Sequence, residues 1–275
     1  MLIEFDKMQG LGNDFIIIDA SQFSKKPDKD FIINLCDRNY GIGCDQLVLY
    51  GKQGDKILAR FFNPDGSEAE ICGNAARCLG LLMQKRCGLS KFTLESAGKS
   101  HSIKTNGEIR VGMGQPSFDS EDIGISKVGV DPLSVLEELN LPKNLGIYHA
   151  SCVSVGNPHL VLFSRDILNE KDIMSVGPSL KSHPLFRNKI NVSFACVVSE
   201  NEIALSVFER GVGLTFACGS GACAVAIVAH VSNVIPATDI LINQKGGSLT
   251  ISLDEEMNIF QTGPAFHVFQ GEIEI

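Results

Sequence analysis

Apolar positions change period several times along the first half of the chain. Ile3-Glu4-Phe5-Asp6-Lys7-Met8 alternates in the way of a half-buried strand. A glycine turn, Gly10-Leu11-Gly12-Asn13-Asp14, leads into Phe15-Ile16-Ile17-Ile18, an apolar run that reads as a buried strand. Between 30 and 38, Phe31, Ile32 and Leu35 fall at helical spacing, and Tyr40-Gly41-Ile42-Gly43 closes the segment. Residues 46–49 and 57–62 predict strands, and Asn63-Pro64-Asp65-Gly66 predicts a turn. Residues 73–87 are apolar nearly all round, with Arg86 in the last turn and Gly88 placed to cap, so they predict a buried helix. Strands resume at 92–94 and 109–111. The polar residues of 115–127 predict a link between two halves, and Asp131-Pro132 predicts the start of a short helix.

The second half repeats the plan. Gly156-Asn157 answers Gly12-Asn13 at an offset of 157 − 13 = 144, Asn191 answers Gln46 at 145, and Glu209 and Cys218 answer Asn63 and Cys72 at 146. A drift of two residues over four polar landmarks predicts a duplicated fold with a pseudo-two-fold axis. The predicted domains are 1–118 with 264–275, carrying Cys72, and 119–263, carrying Cys218.

Composition narrows the function classes. The chain has 275 residues, 44% hydrophobic and 20% charged, with a formal net charge of −8. No Lys/Arg cluster exceeds a pair, which argues against nucleic acid or an anionic membrane as partner. The N-terminus lacks an apolar signal region and the apolar run 222–231 is too short to span a bilayer, so a cytoplasmic location is expected. Nine cysteines without a C-x-x-C pair favour a reducing compartment over disulfides or zinc.

Two cysteines stand apart. Cys72-Gly73-Asn74 opens the helix Ala75-Ala76-Arg77-Cys78-Leu79, and Cys218-Gly219-Ser220 opens Ala222-Cys223-Ala224-Val225-Ala226. The N-terminus of a buried helix carries unpaired N–H groups and roughly half a positive charge, which favours a thiolate and can also hold a carboxylate. Two such helix starts, pointing at one cleft, could remove hydrogen from one face of a chiral carbon and return it to the other.

These residues, Asn63-x-Asp65-Gly66-Ser67-x5-Cys72-Gly73-Asn74-Ala75-x-Arg77 with Gly156-Asn157-Pro158-His159, Glu209-Arg210-Gly211 and Ala217-Cys218-Gly219-Ser220-Gly221-Ala222, closely resemble the diaminopimelate epimerase family. The resemblance runs from Lys7 to Ala265. It implies an α+β fold of two pseudo-symmetric domains, each a mixed β-sheet wrapped around a central helix, with the last strand returning to the first domain. It implies an isomerase that interconverts LL- and meso-diaminopimelate for lysine and peptidoglycan precursors without pyridoxal phosphate, other cofactor or metal. Cys72 and Cys218 would be its base and acid. Asn13 and Glu209 would attend the reacting amino group, and Asn63, Asn157, Asn191 and Arg210 would read the distal end, with Gln46 lining the pocket. Gly73, Asn74, Gly219 and Ser220 would offer the helix-start contacts. The partner is a small molecule, with a homodimer left open.

One position departs from that family, Leu214, where glutamate is usual; Glu68 occupies the matching place before Cys72. A broader racemase range is therefore an open expectation. The competing readings are a proline racemase or hydroxyproline epimerase relative, a non-catalytic amino-acid-binding module, and a thiol redox protein. The remaining seven cysteines read as core filler. His159 reads as satisfying backbone groups, with a proton relay as the alternative. Glu68 and Glu70 read as solvated or capping, and Ala97-Gly98-Lys99-Ser100 lacks the first glycine of a P-loop, Thr93 standing there, so nucleotide binding is rejected.

Overall fold

The computed structural model describes residues 2–54 and 56–274. The chain divides into two compact units, Met1–Gly112 with Thr262–Ile275, and Met113–Gln261. The expected breaks, after 118 and before 264, lie a few residues from these.

The first unit runs β1 (Leu2–Gly10), β2 (Asn13–Asp19), α1 (Lys29–Cys36), β3 (Gln46–Gln53), β4 (Lys56–Phe62), β5 (Glu68–Ala69), α2 (Gly73–Cys87), β6 (Lys91–Ser96), β7 (Lys99–Lys104) and β8 (Ile109–Gly114). A C-terminal strand, Phe266–Glu274, completes it by pairing antiparallel to β1. β1 is antiparallel to β2, β2 parallel to β3 across α1, and β3 antiparallel to β4. β4 is parallel to β6 across α2, and β6, β7 and β8 form an antiparallel meander. Helix α2 packs on β1, β2, β7 and the C-terminal strand. Strands far apart in the sheet reach the same helix only if the sheet curls around it. Gly80 makes the approach close, because a Cβ there would sit 2.8 Å from Ile109 and 3.1 Å from Ile103.

The outer face of this sheet is covered too. Ile32, Leu35 and Cys36 of α1 pack with Ile16, Ile18, Leu47 and Leu49. Burial on both faces explains why Phe15 to Ile18 is apolar without alternation.

The second unit starts with α3 (Ser120–Ile123), then β9 (Ile147–Ser154), β10 (Pro158–Ser164), α4 (Glu170–Lys181), β11 (Asn191–Ser199), β12 (Glu202–Glu209), β13 (Gly213–Leu214), α5 (Gly219–Val231), β14 (Asp239–Gln244) and β15 (Gly247–Leu253). Its pairings are those of the first unit: β9 antiparallel to β10, β10 parallel to β11, β11 antiparallel to β12, β12 parallel to β14, β14 antiparallel to β15. Helix α5 packs on β9, β10, β11, β14 and β15, and every residue from Ala222 to Ala229 is fully buried. The repeat extends to register. Phe15 lies opposite Gln46 and His159 opposite Asn191 (159 − 15 = 144, 191 − 46 = 145); Phe62 lies opposite Glu68 and Phe208 opposite Leu214, each shifted by 146. Among the described residues, no helix is long and apolar enough to cross a membrane.

Three segments differ from expectation. Residues 115–127 are not a bare polar link: Asp119 caps α3, and Ile123 and Ile125 enter the second core. Asp131-Pro132 starts a turn and not a helix, because Pro132 O accepts from Cys152 N and Val135 N donates to Ala150 O, tying the segment to β9. Helix α4, which the apolar spacing did not reveal, covers the outer face of the second sheet with Ile173, Val176 and Leu180.

Candidate active site

Each central helix begins at a cysteine. Cys72 is the residue before α2 and Cys218 the residue before α5, both with extended backbone, and the helices close with Ala76 N to Cys72 O at 2.8 Å and Ala222 N to Cys218 O at 3.0 Å. Neither helix has an acidic residue in its first turn, whereas α1, α3 and α4 all do. The N-terminal field of α2 and α5 is thus left for the thiol and for a ligand anion.

In the first unit, Cys72 Sγ is 3.6 Å from Asn13 Oδ1, to which it donates. Asn74 Nδ2 donates to the same oxygen at 3.3 Å. Two charged groups fix these amides. Asn13 Nδ2 donates to Asp45 Oδ2 at 2.8 Å, and Arg77, fully buried, donates from Nη2 to Asn74 Oδ1 at 2.8 Å and from Nε to Pro264 O at 3.2 Å. A carboxylate only accepts and a guanidinium only donates, so the amide orientations follow without choice. Asp45 sits in a wider network: Arg38 bridges Asp45 and Asp14, and Lys7 pairs with Asp14. These partners pull the Asp14 carboxyl down to about 2 against the opposing effect of its burial, the larger single influence. Gln46 Nε2 donates to Asn63 Oδ1 at 3.1 Å, and Asn63 Nδ2 to Ser67 Oγ at 3.0 Å; the buried Gln46 Oε1 has no partner among the described residues.

In the second unit the polarity at sulfur is different. Cys218 Sγ accepts from Gly221 N at 3.4 Å and lies 3.5 Å from Ser220 Oγ. Asn157 Nδ2 donates to Ser220 Oγ at 3.3 Å, and His159 Nε2 contacts Asn157 Oδ1 and Ser220 Oγ, each at 3.1 Å. Either group can supply the hydrogen between Ser220 Oγ and Cys218 Sγ, so the donor fixed at sulfur is the Gly221 N–H. His159 is fully buried and its Nδ1 has no partner among the described residues, so a second ring proton would have no acceptor there; burial and then the nearby Arg210 charge push it down to about 3. It contacts side chains, not the backbone groups expected from the sequence.

The other expected residues are placed as follows. Asn191 Oδ1 accepts from Arg210 N at 3.0 Å and its Nδ2 donates to Pro158 O at 3.2 Å. Glu209 Oε1 accepts from Thr215 at 2.7 Å, and Arg210 is exposed. Gly73, Asn74 and Gly219 are buried and Ser220 half-buried. In the first unit, Asn13, Asn74 and Cys72 come together, as do Gln46 and Asn63; in the second, Asn157, Ser220 and Cys218 do, as do Asn191 and Arg210. Sequence reasoning missed Asp45, Arg77 and Gln244, whose Oε1 accepts from Cys218 N at 2.7 Å. For Arg77 a signal existed: a charge between Ala76 and Cys78, in the buried part of the helix, needs polar partners. Glu68 is not a cap; it pairs with Arg60 at 2.5 Å on the neighbouring strand. The position matching Arg60 in the second unit is Ser206 (206 − 60 = 146), so Leu214 lacks the carboxylate and its cation together, and packs against the second core. Ala97 and Gly98 both have positive φ and form the two-residue turn between β6 and β7, not a phosphate cradle. Among the described residues, no three His, Cys, Asp or Glu side chains gather to hold a metal.

Comparison with known proteins identifies relatives along the whole chain. The family model for diaminopimelate epimerase matches residues 5–118 and 151–268. A protein named diaminopimelate epimerase from Gluconobacter oxydans is 40% identical over 274 residues, covering 98% of this chain and 99% of its own. Another of that name from Pelagibacter ubique is 40% identical over 269 residues, 96% of each chain. Among solved structures, a PhzF-family phenazine biosynthesis protein from Bacillus anthracis superposes with a TM-score of 0.71 at 18% identity, covering all of both chains. A hydroxyproline epimerase from Agrobacterium vitis superposes with a TM-score of 0.67 at 11% identity, covering 99% of this chain and 92% of its own. At these identities the two structures speak to the fold alone.

Proposed function

Since the chain belongs to the diaminopimelate epimerase family, we propose that it interconverts LL- and meso-diaminopimelate by two-base proton transfer, with Cys72 and Cys218 as the base and acid. The observation that carries the assignment is that these two cysteines, alone among nine, occupy the residue before a buried central helix, once in each repeat. One thiolate takes the α-hydrogen while the other thiol delivers its own to the opposite face, and the roles exchange with direction. The α-hydrogen is a very weak acid, so the charge that flows into the carboxylate needs preorganised donors. The first-turn N–H groups of Gly73 and Asn74, and of Gly219 and Ser220, have no partner within their helices and supply them; one well-placed donor contributes about 3–4 kcal/mol. Glu209 and Asn13 attend the reacting amino group, and Asn63, Asn157, Asn191 and Arg210 read the distal end, the exposed guanidinium taking a carboxylate in a fork. Nine free cysteines suit a reducing cytosol. The family match favours diaminopimelate over proline as substrate.

The test is incubation with LL-diaminopimelate in deuterated water without pyridoxal phosphate. Deuterium at the α-carbon and meso product are expected. Cys72→Ala and Cys218→Ala should each reduce the rate at least about 10³-fold, since each removes a group that carries the transferred proton. Proline and serine beside it measure how far Leu214 widens the range. A native protein that neither exchanges nor epimerises diaminopimelate overturns the assignment.

A further inference from the structure

We infer that Asp45 is a positioning residue that, through Asn13, keeps an amide oxygen on Cys72 Sγ and so holds Cys72 as the thiol in the free protein. Asp45 Oδ2 takes the Asn13 NH2 at 2.8 Å, which leaves Asn13 Oδ1 facing Cys72 Sγ at 3.6 Å. From the other end Arg77 takes Asn74 Oδ1, which turns the Asn74 NH2 onto the same Asn13 oxygen. The donors run in one direction, Arg77 to Asn74 to Asn13 to Asp45, and reversing the Asn13 amide would set oxygen against carboxylate at one side and NH2 against NH2 at the other. An acceptor at sulfur favours S–H over the thiolate. At Cys218 the contact of fixed direction is the opposite one, a donor, with Gly221 N–H at 3.4 Å from Sγ. These contacts therefore give two cysteines in matching places of a duplicated fold opposite hydrogen-bond polarity, and at Cys72 the acceptor is set by Asp45.

The charged groups around this chain are Lys7, Asp14 and Arg38, which join Asp45 in one network, and Arg77 on α2. The Asp14 side chain bonds Lys7, Arg38 and the backbone N of Asp45 but not Asn13's amide, so it tests the charge of the network with the Asp45 carboxylate left on Asn13.

The inference rests on the functional reading for its meaning, and its test does not need substrate. Alkylation by iodoacetamide, resolved by peptide mass for each cysteine across pH 6–9, reports the thiolate fraction at Cys72, with the exposed Cys87 as internal reference. In Asp45→Asn, the Cys72 rate at neutral pH should rise roughly 3- to 10-fold relative to Cys87, the size of a shift of half to one pH unit. Asp45→Ala, which removes the acceptor, should act in the same direction, and Asp14→Asn should leave Cys72 unmoved. Buried Cys36 and Cys44, the latter adjacent to Asp45, should stay unreactive. A Cys72 profile unchanged in both Asp45 variants overturns the inference. So does a rise shared with Cys36 and Cys44, which marks loosening of the strand start, or an equal rise in Asp14→Asn, which marks charge alone. Failure of the native protein to exchange the α-hydrogen overturns only the functional reading.

Discussion

His159 shows how one side chain ties stability to pH. The ring is fully buried, Nε2 lies against Asn157 and Ser220, and Nδ1 has no acceptor among the described residues, so the folded protein holds it neutral and its pKa falls to about 3. In the unfolded chain it titrates near 6.5. Below that value the unfolded state binds a proton that the folded state refuses, so this residue's contribution is present above pH 6.5 and is lost progressively as pH falls toward 3. The loss approaches about 1.4 kcal/mol per pH unit inside that window. His159→Gln keeps a donor near the Nε2 position but does not titrate. Urea unfolding between pH 7.5 and 5 should therefore show a shallower decline in the variant than in the native protein. Asp14, held near 2, loses its contribution only below its unfolded value of about 3.8 and leaves that window clear.

Within α2, Gly80 opposes the usual preference of a helix for alanine. A Cβ there meets Ile109 at 2.8 Å and Ile103 at 3.1 Å, so Gly80→Ala should destabilise by about 1–3 kcal/mol even though helix propensity favours it by about 1 kcal/mol. A higher melting temperature in the variant would show that β7 and β8 move aside readily. The same element was legible from sequence: apolar residues nearly all round 73–87, with Gly88 following in the left-handed region, marked both its burial and its end. Helix α4 was hidden by Gly177-Pro178 inside it, two residues that ordinarily stop a helix. Its glycine is there for packing, since a Cβ at Gly177 would lie 2.9 Å from the Phe208 ring. The Asp131-Pro132 segment carried a helix-start signal and lost it to tertiary pairing with β9, a competition that local sequence does not display. At the candidate site, the cysteines and amides were legible from motif and offset. Arg77 was marked as a charge inside a buried helix, but Asp45 was not, because its role lies in which way the Asn13 amide points, a property set by a contact between residues 32 apart.

The order of the chain through the two units makes a difference between them. The second unit is contiguous, Met113–Gln261, whereas the first is closed by the C-terminal strand, which pairs with β1 from Leu2 opposite Glu274 to Gln9 opposite Phe266. The strand also brings His267 to the buried Asp6, at 2.9 Å, beside Arg86 at 2.8 Å, and the segment leading into it brings Pro264 O to Arg77. Truncation after Gly263 therefore removes a sheet neighbour, one partner of a buried carboxylate and one acceptor of a buried guanidinium, all in the first unit. Asp6 keeps Arg86 and Arg77 keeps Asn74, so the loss is of one hydrogen bond to each charged group, about 1.5–3 kcal/mol apiece, still a large fraction of a domain's stability. Hydrogen exchange followed by mass spectrometry should show amides of β1, β2 and β3 losing protection, while those of β10, β11 and β12 keep theirs, because every strand pairing named for the second unit lies before the cut. Equal loss in both sets would mean that the two repeats, alike in topology, do not hold their cores separately.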